Sequence, residues 1–228
     1  MRVVGTVTAV TAFQALDVLA AWAQRHPGRA FALHEASSAV LYLWASRFPP
    51  FTPWPIAPTR LDALVPLVPL ATPFYLSFFL IVPALVLTQR RQAYFGRVFL
   101  TGFLYMMVNL AITVLVPTRI EPFVVPAAAA ADPENVWLAL LLHTDRPNAV
   151  CPSGHFGLPL VLTLALCSAG APRCTKLAFG AWALMMGLTV LLTKQHYTPD
   201  LAAAAALVLA VWWLLWRLRA AHTLPGHA

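Results

Sequence analysis

The sequence predicts an all-α integral membrane protein: a bundle of six transmembrane helices with an interfacial N-terminal segment and a polar extracytoplasmic loop. Three observations lead there. Hydrophobic residues make up 60% of the 228 and charged residues only 10%, with a mean hydropathy of +0.73. A soluble domain carries about 25% charged residues. The apolar residues gather in runs of about the 20 residues that a membrane crossing requires. Two polar stretches break this pattern at the ends of runs: Cys151-Pro152-Ser153-Gly154-His155 and Lys194-Gln195-His196-Tyr197-Thr198-Pro199-Asp200.

The chain reads as one membrane domain, 1–228, with an N-terminal span and irregular cap over 3–62 and a core over 63–220. The first span, 3–23, starts behind Arg2 and ends in Ala21-Trp22-Ala23, which resembles a signal-peptidase site. Gln14 and Asp17 suit a packed helix better than a cleaved leader, because an acid inside a span normally faces the bundle interior. Residues 30–48 carry His34, Glu35, Ser37 and Ser38 and read as a helix lying at the interface. The stretch 48–58 holds five prolines, which excludes a regular helix or a central strand and makes it an irregular cap.

The second span covers about 64–88 and contains Pro66, Pro69, Pro73 and Pro83, so kinks are expected. The third covers about 95–116, with Tyr105 and Asn109 as polar points. A long polar connection then runs to Gly154. Within it, 133–144 reads as a short helix behind Asp132 as N-cap, with Pro133 in its first turn. The fourth span runs from the first polar stretch to about Gly170, the fifth covers 177–192 and the sixth 201–216.

Net charge is +7 and the isoelectric point about 9.9, but no dense Lys/Arg run is present, which excludes a nucleic-acid partner. The expected partners are membrane lipids, as substrate and as solvent; a homo-oligomer is compatible with the composition. With a cytoplasmic N-terminus, Arg2, Arg90, Arg91, Arg97, Arg173, Lys176, Arg217 and Arg219 face the cytoplasm. Arg25, Arg29, Arg47, Arg60, Arg119, Arg146 and Lys194 face the other side. Both polar stretches then share the face away from the cytoplasm, as expected for a bacterial inner-membrane protein with a periplasmic or exterior site. Cys151, Cys167 and Cys174 form neither a disulfide framework nor a metal-ligand spacing and read as small buried apolar residues.

In the first stretch, Ser153 suits the N-cap of the fourth span and Gly154 allows close backbone approach. A helix start presents free N–H groups and a positive dipole end, which suit a phosphate, and His155 lies in that turn, where it could protonate a leaving oxygen. Taken alone, the stretch is equally an ordinary capped helix start. In the second, His196 and Asp200 stand at i and i+4, so the carboxylate can hold one ring nitrogen and leave the other to attack. Pro199 favours a first turn, so the pair straddles a helix start.

Together the two stretches resemble the type 2 phosphatidic acid phosphatase superfamily over roughly residues 60–218. Pro152-Ser153-Gly154-His155 matches that family's second motif in full, and His196 and Asp200 match the His and Asp of its third. Leu61-Asp62, Asp145-Arg146-Pro147-Asn148 and Thr193-Lys194-Gln195-His196-Tyr197 look like a bacterial membrane branch; His196-Tyr197-Thr198 with Asp200 is also similar to sphingolipid synthases. The family's third-motif Ser-Arg is replaced by Thr189-Val190. Lys194 is expected to supply the missing cation, and Arg119 and Arg146 to stand for the first motif.

The resemblance implies a lipid phosphatase or phosphotransferase. His196 is then the nucleophile, His155 the acid and base, and Asp200 the group that orients His196. Arg119, Arg146, Ser153, Gly154 and Lys194 bind the phosphoryl group. No cofactor or metal is expected. Hydrolysis and headgroup transfer both remain open, as does a non-catalytic lipid-binding protein. His34, His143, His222 and His227 lack such company; His143, close to Asp145 and Arg146, is a candidate for substrate binding.

Overall fold

The structure is a computed structural model that describes residues 2–120, 135–144 and 148–218. It is mostly helical, and four helical stretches are long and apolar enough to cross a membrane: Pro69–Gln89, Phe95–Leu115, Arg173–Leu192 and Thr198–Trp216. Among the described residues the fold is that of a mostly helical membrane protein, with four candidate crossings against the six expected.

Two helices open the chain, α1 (Arg2–Arg25) and α2 (Pro27–Arg47), with Pro27 in the first turn of α2, where its missing N–H costs nothing. Both pack on α6 (Phe95–Leu115). At the α1–α6 crossing, Gly96 lies against the Ala20 carbonyl with no room for a Cβ, and its N–H donates to Gln24 Oε1 at 2.8 Å. α2, read from the sequence as interfacial, is not among the four candidate crossings; it packs on α6 and places His34, 4% exposed, beside the rings of Phe99 and Phe103.

The proline-rich stretch after α2 contains one short strand, β1 (Trp54–Ile56), which pairs in parallel with β2 (Thr118–Ile120) just after α6. Pro55 fits because a two-stranded ribbon consists of edges only. α3 (Arg60–Leu64) follows, capped by Thr59. The segment from Pro69 to Gln89 is broken as its prolines predict: a 3-10 turn, α4 (Thr72–Leu76), a second 3-10 turn and α5 (Ile81–Gln89). Beyond β2, α7 (Val136–Thr144) is the described part of the helix expected at 133–144; Asp132 and Pro133 lie outside the described residues.

α8 (Gly154–Ser168) packs against α6, α9 (Arg173–Leu192) and α10 (Thr198–Trp212), and it is short. Its 15 residues rise about 22 Å, less than a hydrocarbon core of about 30 Å, which is why it falls below a full crossing by itself. Leu158, Val161, Leu162, Ala165 and Leu166 are buried on it, against Val98 and Tyr105 of α6 and Val208 of α10. Leucines and tryptophans that point away from this core stay exposed, among them Leu184, Leu188, Leu209 and Trp213, as a lipid-facing surface requires.

Candidate active site

The first polar stretch is held from below by α6. Asn109 Nδ2 donates to the Pro152 carbonyl at 2.9 Å and Tyr105 Oη to the Ser153 carbonyl at 3.2 Å. These are the two polar points that the sequence places inside an apolar run. Ser153 is fully buried and caps α8, its Oγ accepting from Phe156 N at 3.4 Å. Gly157 follows, and a Cβ there would overlap the Tyr105 hydroxyl. Glycine is what lets α8 come close enough for that hydroxyl to reach Ser153.

The second polar stretch is a tight connection between α9 and α10. His196 N and Gln195 N both donate to the Val190 carbonyl, at 3.2 and 3.1 Å, while Asp200 Oδ2 accepts from Tyr197 N at 3.0 Å. Asp200 is the third residue of α10, fully buried, and His196 lies just before the N-cap Tyr197, so the pair straddles the helix start. His196 Nδ1 stands 3.5 Å from Asp200 Oδ2, at ion-pair distance but out of hydrogen-bond alignment. The Asp200 carbonyl in turn accepts from Ser153 N at 3.3 Å, so the two stretches touch directly.

The result is a facing pair of histidines, with the His155 and His196 ring centroids 5.7 Å apart. His155 stacks on Tyr75 at 4.4 Å and lies 4.3 Å from Phe78, and Tyr75 Oη is 3.4 Å from His155 Nδ1. Both histidines line a cleft of about 960 Å³, its open mouth included. Its walls are mainly apolar, with Phe78, Ile81, Val82, Met106, Leu110 and Leu158, and its polar lining also includes Asn109, Gln195 and His34. Apolar walls closed at one end by polar groups suit a molecule with a polar end and an apolar body.

The expected cations are placed differently. Lys194 is buried and in a left-handed conformation, φ 58°. Its Nζ donates to the Asp62 carbonyl at 2.8 Å and to the Val65 carbonyl. Lys194 therefore stands at the C-terminal end of α3, and burial lowers its pKa while the Asp62 carboxylate opposes that shift. Arg119 is exposed on β2, and neither it nor Lys194 lines the cleft. Arg146 lies outside the described residues, as do the structural surroundings of His143, His222 and His227. Among the described residues that line the cleft there is no Lys or Arg. The Cys151 thiol is pushed up to about 12, by burial first and the Asp200 carboxylate second, so it stays protonated at neutral pH.

Asp62 is the residue whose position the sequence conceals. It is 2% exposed and accepts from Thr59 N, Thr59 Oγ1, Thr198 N and Thr198 Oγ1, at 2.8, 2.7, 2.8 and 3.0 Å. It thereby ties α3 to the first turn of α10, two residues beyond His196. Tyr75 and Phe78 form the aromatic seat of His155; their i, i+3 spacing in the proline-broken stretch is the faint trace of that role in the sequence.

Fold and site define a class: a helical membrane protein with a carboxylate-backed histidine pair in an apolar cleft. No family model, curated protein or solved structure matches the chain.

Proposed function

We propose that the chain is a membrane enzyme that removes or transfers the phosphoryl group of a lipid phosphate ester through a phosphohistidine, in the manner of type 2 phosphatidic acid phosphatases. The observation that carries this reading is the 5.7 Å approach of the His155 and His196 rings, with Asp200 behind His196. With Asp200 facing Nδ1, the proton sits on Nδ1 and the Nε2 lone pair of His196 attacks phosphorus. The P–O bond to the lipid breaks as the N–P bond forms, and protonated His155 gives its proton to the departing oxygen. Neutral His155 then takes a proton from water or a lipid hydroxyl, whose oxygen bonds phosphorus as the N–P bond breaks.

The phosphoryl charge falls to the N-terminus of α8 around Ser153 and Gly154, to protonated His155, and to Arg119 and Arg146 if substrate draws them in. In the accompanying topology, α1 and α8 complete a six-span bundle, the termini are cytoplasmic, and the site opens away from the cytoplasm. The membrane is then a bacterial inner membrane and the site periplasmic or exterior. Headgroup transfer of the sphingolipid-synthase type uses the same residues with a lipid hydroxyl in place of water.

A non-catalytic lipid-binding protein is the second reading, favoured by the absence of Lys and Arg from the described cleft lining. The deciding experiment presents purified protein with phosphatidic acid, an isoprenyl diphosphate, and a phospholipid together with diacylglycerol or ceramide. Free phosphate marks a phosphatase and a new headgroup-bearing lipid a transferase. No turnover, with no acid-labile phosphoprotein from radiolabelled substrate, would leave the non-catalytic reading standing.

A further inference from the structure

The cleft has a second polar face that the proposed phosphoryl chemistry does not use. It belongs to α2, where His34, Glu35 and Ser38 all line the same cleft as His155 and His196. His34 Nδ1 lies 3.3 Å from Glu35 Oε1, which places the proton on Nδ1 and a lone pair on Nε2. His34 is 4% exposed, and its Nε2 has no hydrogen-bond partner among the described residues. Ser38 Oγ, one turn further along α2, is likewise buried and without a partner. Two orphaned polar atoms in one buried patch are uncommon, because buried polar groups are almost always paired.

We propose that this face of α2 is an acceptor subsite that binds the hydroxyl end of a second lipid, a long-chain alcohol. The ligand chemistry follows from the two atoms. Nε2 of a neutral imidazole accepts, so the ligand donates an O–H; Ser38 Oγ can donate back to the same or an adjacent oxygen. The body of the ligand is apolar, because Phe79, Ile81, Val82 and Leu110 line the same cleft. A free sugar or a polyol would leave that lining against water. The inference rests on the phosphotransfer reading for its consequence, transfer to a lipid hydroxyl in preference to water, but not for the binding itself.

The test uses the full-length protein in detergent or liposomes, with His34→Phe, His34→Gln and Ser38→Ala. A diazirine-bearing long-chain alcohol serves as the binding probe. Photolabel is expected on α2 in the wild type, to fall at least fivefold in His34→Phe, and to be partly kept in His34→Gln, which retains an acceptor. Transfer to diacylglycerol is expected to fall about tenfold in His34→Phe and Ser38→Ala through a raised acceptor KM, with phosphate release to water within twofold of wild type. Absence of label on α2, or equal labelling of wild type and His34→Phe, overturns the subsite. So does a parallel loss of hydrolysis and transfer in Ser38→Ala and His34→Gln. A protein that labels on α2 but neither hydrolyses nor transfers keeps the subsite and overturns the phosphotransfer reading instead.

Discussion

At the scale of the residue, three side chains carry separable expectations. His196→Ala is expected to abolish phosphoenzyme formation, and Asp200→Asn to slow it by about 10²–10⁴-fold, the range for a positioned acid–base group. Rapid-quench measurement of phosphoprotein checks both, and a wild-type rate in His196→Ala would remove it as nucleophile. Lys194 was expected to act on the phosphoryl group, which would make Lys194→Ala cost about a hundredfold in turnover. Its engagement with the Asp62 and Val65 carbonyls points to a different result: a loss of stability of about 1.5–3 kcal/mol, the worth of hydrogen bonds to a charged group, with turnover changed less. Denaturation in detergent beside turnover separates the two. Asp62 adds a pH dependence. Burial raises its pKa, but the hydrogen bonds from Thr59 and Thr198 outweigh that and hold it below 3.8. A depressed carboxylate gives stability that is fully present above its unfolded value and lost as pH falls through the folded one. The stability gap between wild type and Asp62→Asn is therefore expected to be full at about pH 5 and to close below about pH 4. A gap that persists unchanged into stronger acid would mean that the charge of Asp62 contributes nothing.

At the scale of the element, the meeting of α6 and α8 sets where His155 lies. Gly157 and Tyr105 form a lock: the hydroxyl occupies the space a Cβ would need, and it reaches the Ser153 carbonyl through that gap. Gly157→Ala is expected to force the helices apart at a cost of about 1–3 kcal/mol, the usual range for overpacking, and to lower turnover by moving the first turn of α8. Tyr105→Phe removes the nearest obstructing atom but leaves the ring carbon Cζ too close to that Cβ, so it relieves part of the overlap. The double variant is then expected to be more stable than the sum of the single changes implies, since the two groups touch. Strict additivity in a double-mutant cycle would remove the lock from the account. This site was half legible. Ser153 announces a cap and Tyr105 and Asn109 announce polar groups inside an apolar run. That Tyr105 holds Ser153 and Asn109 holds Pro152 follows only from a crossing between residues 48 and 43 apart in the chain.

For the whole molecule, the expectation concerns sidedness. α3, β2 and the start of α10 gather at the histidine end, while the turn between α5 and α6 and the Arg97–Trp216 contact, 3.9 Å from guanidinium to ring, lie at the other end of α6. In a background with all three cysteines replaced, Arg60→Cys and Arg119→Cys are expected to react with an impermeant thiol reagent from outside the cell. Arg90→Cys and Arg173→Cys should react only after the membrane is opened. All four positions are exposed in the fold, so a failure to label reports sidedness rather than burial. Labelling of positions 60 and 90 from the same side would overturn the topology and the placement of the site with it.

What the sequence determined by itself was set by local, additive properties. Apolar runs with few charges make helices and a membrane protein, prolines break the stretch from 69 to 89, and Ser153 and Asp200 mark helix starts through bonds spanning three residues. The pairing of the two polar stretches was also legible, through residue types and spacing. The tertiary structure alone decided the rest. It turned Lys194 toward the carbonyls of α3, placed Asp62 against Thr198, seated His155 on Tyr75 and folded α2 into the wall of the cleft. Those contacts join residues far apart in the chain, 132 for Lys194 with the Asp62 carbonyl and 136 for Asp62 with Thr198. No helical periodicity records a partner at that distance. In so apolar a chain a buried polar group takes whichever partner the packing brings within reach, because the cost of leaving it unpaired exceeds any local preference.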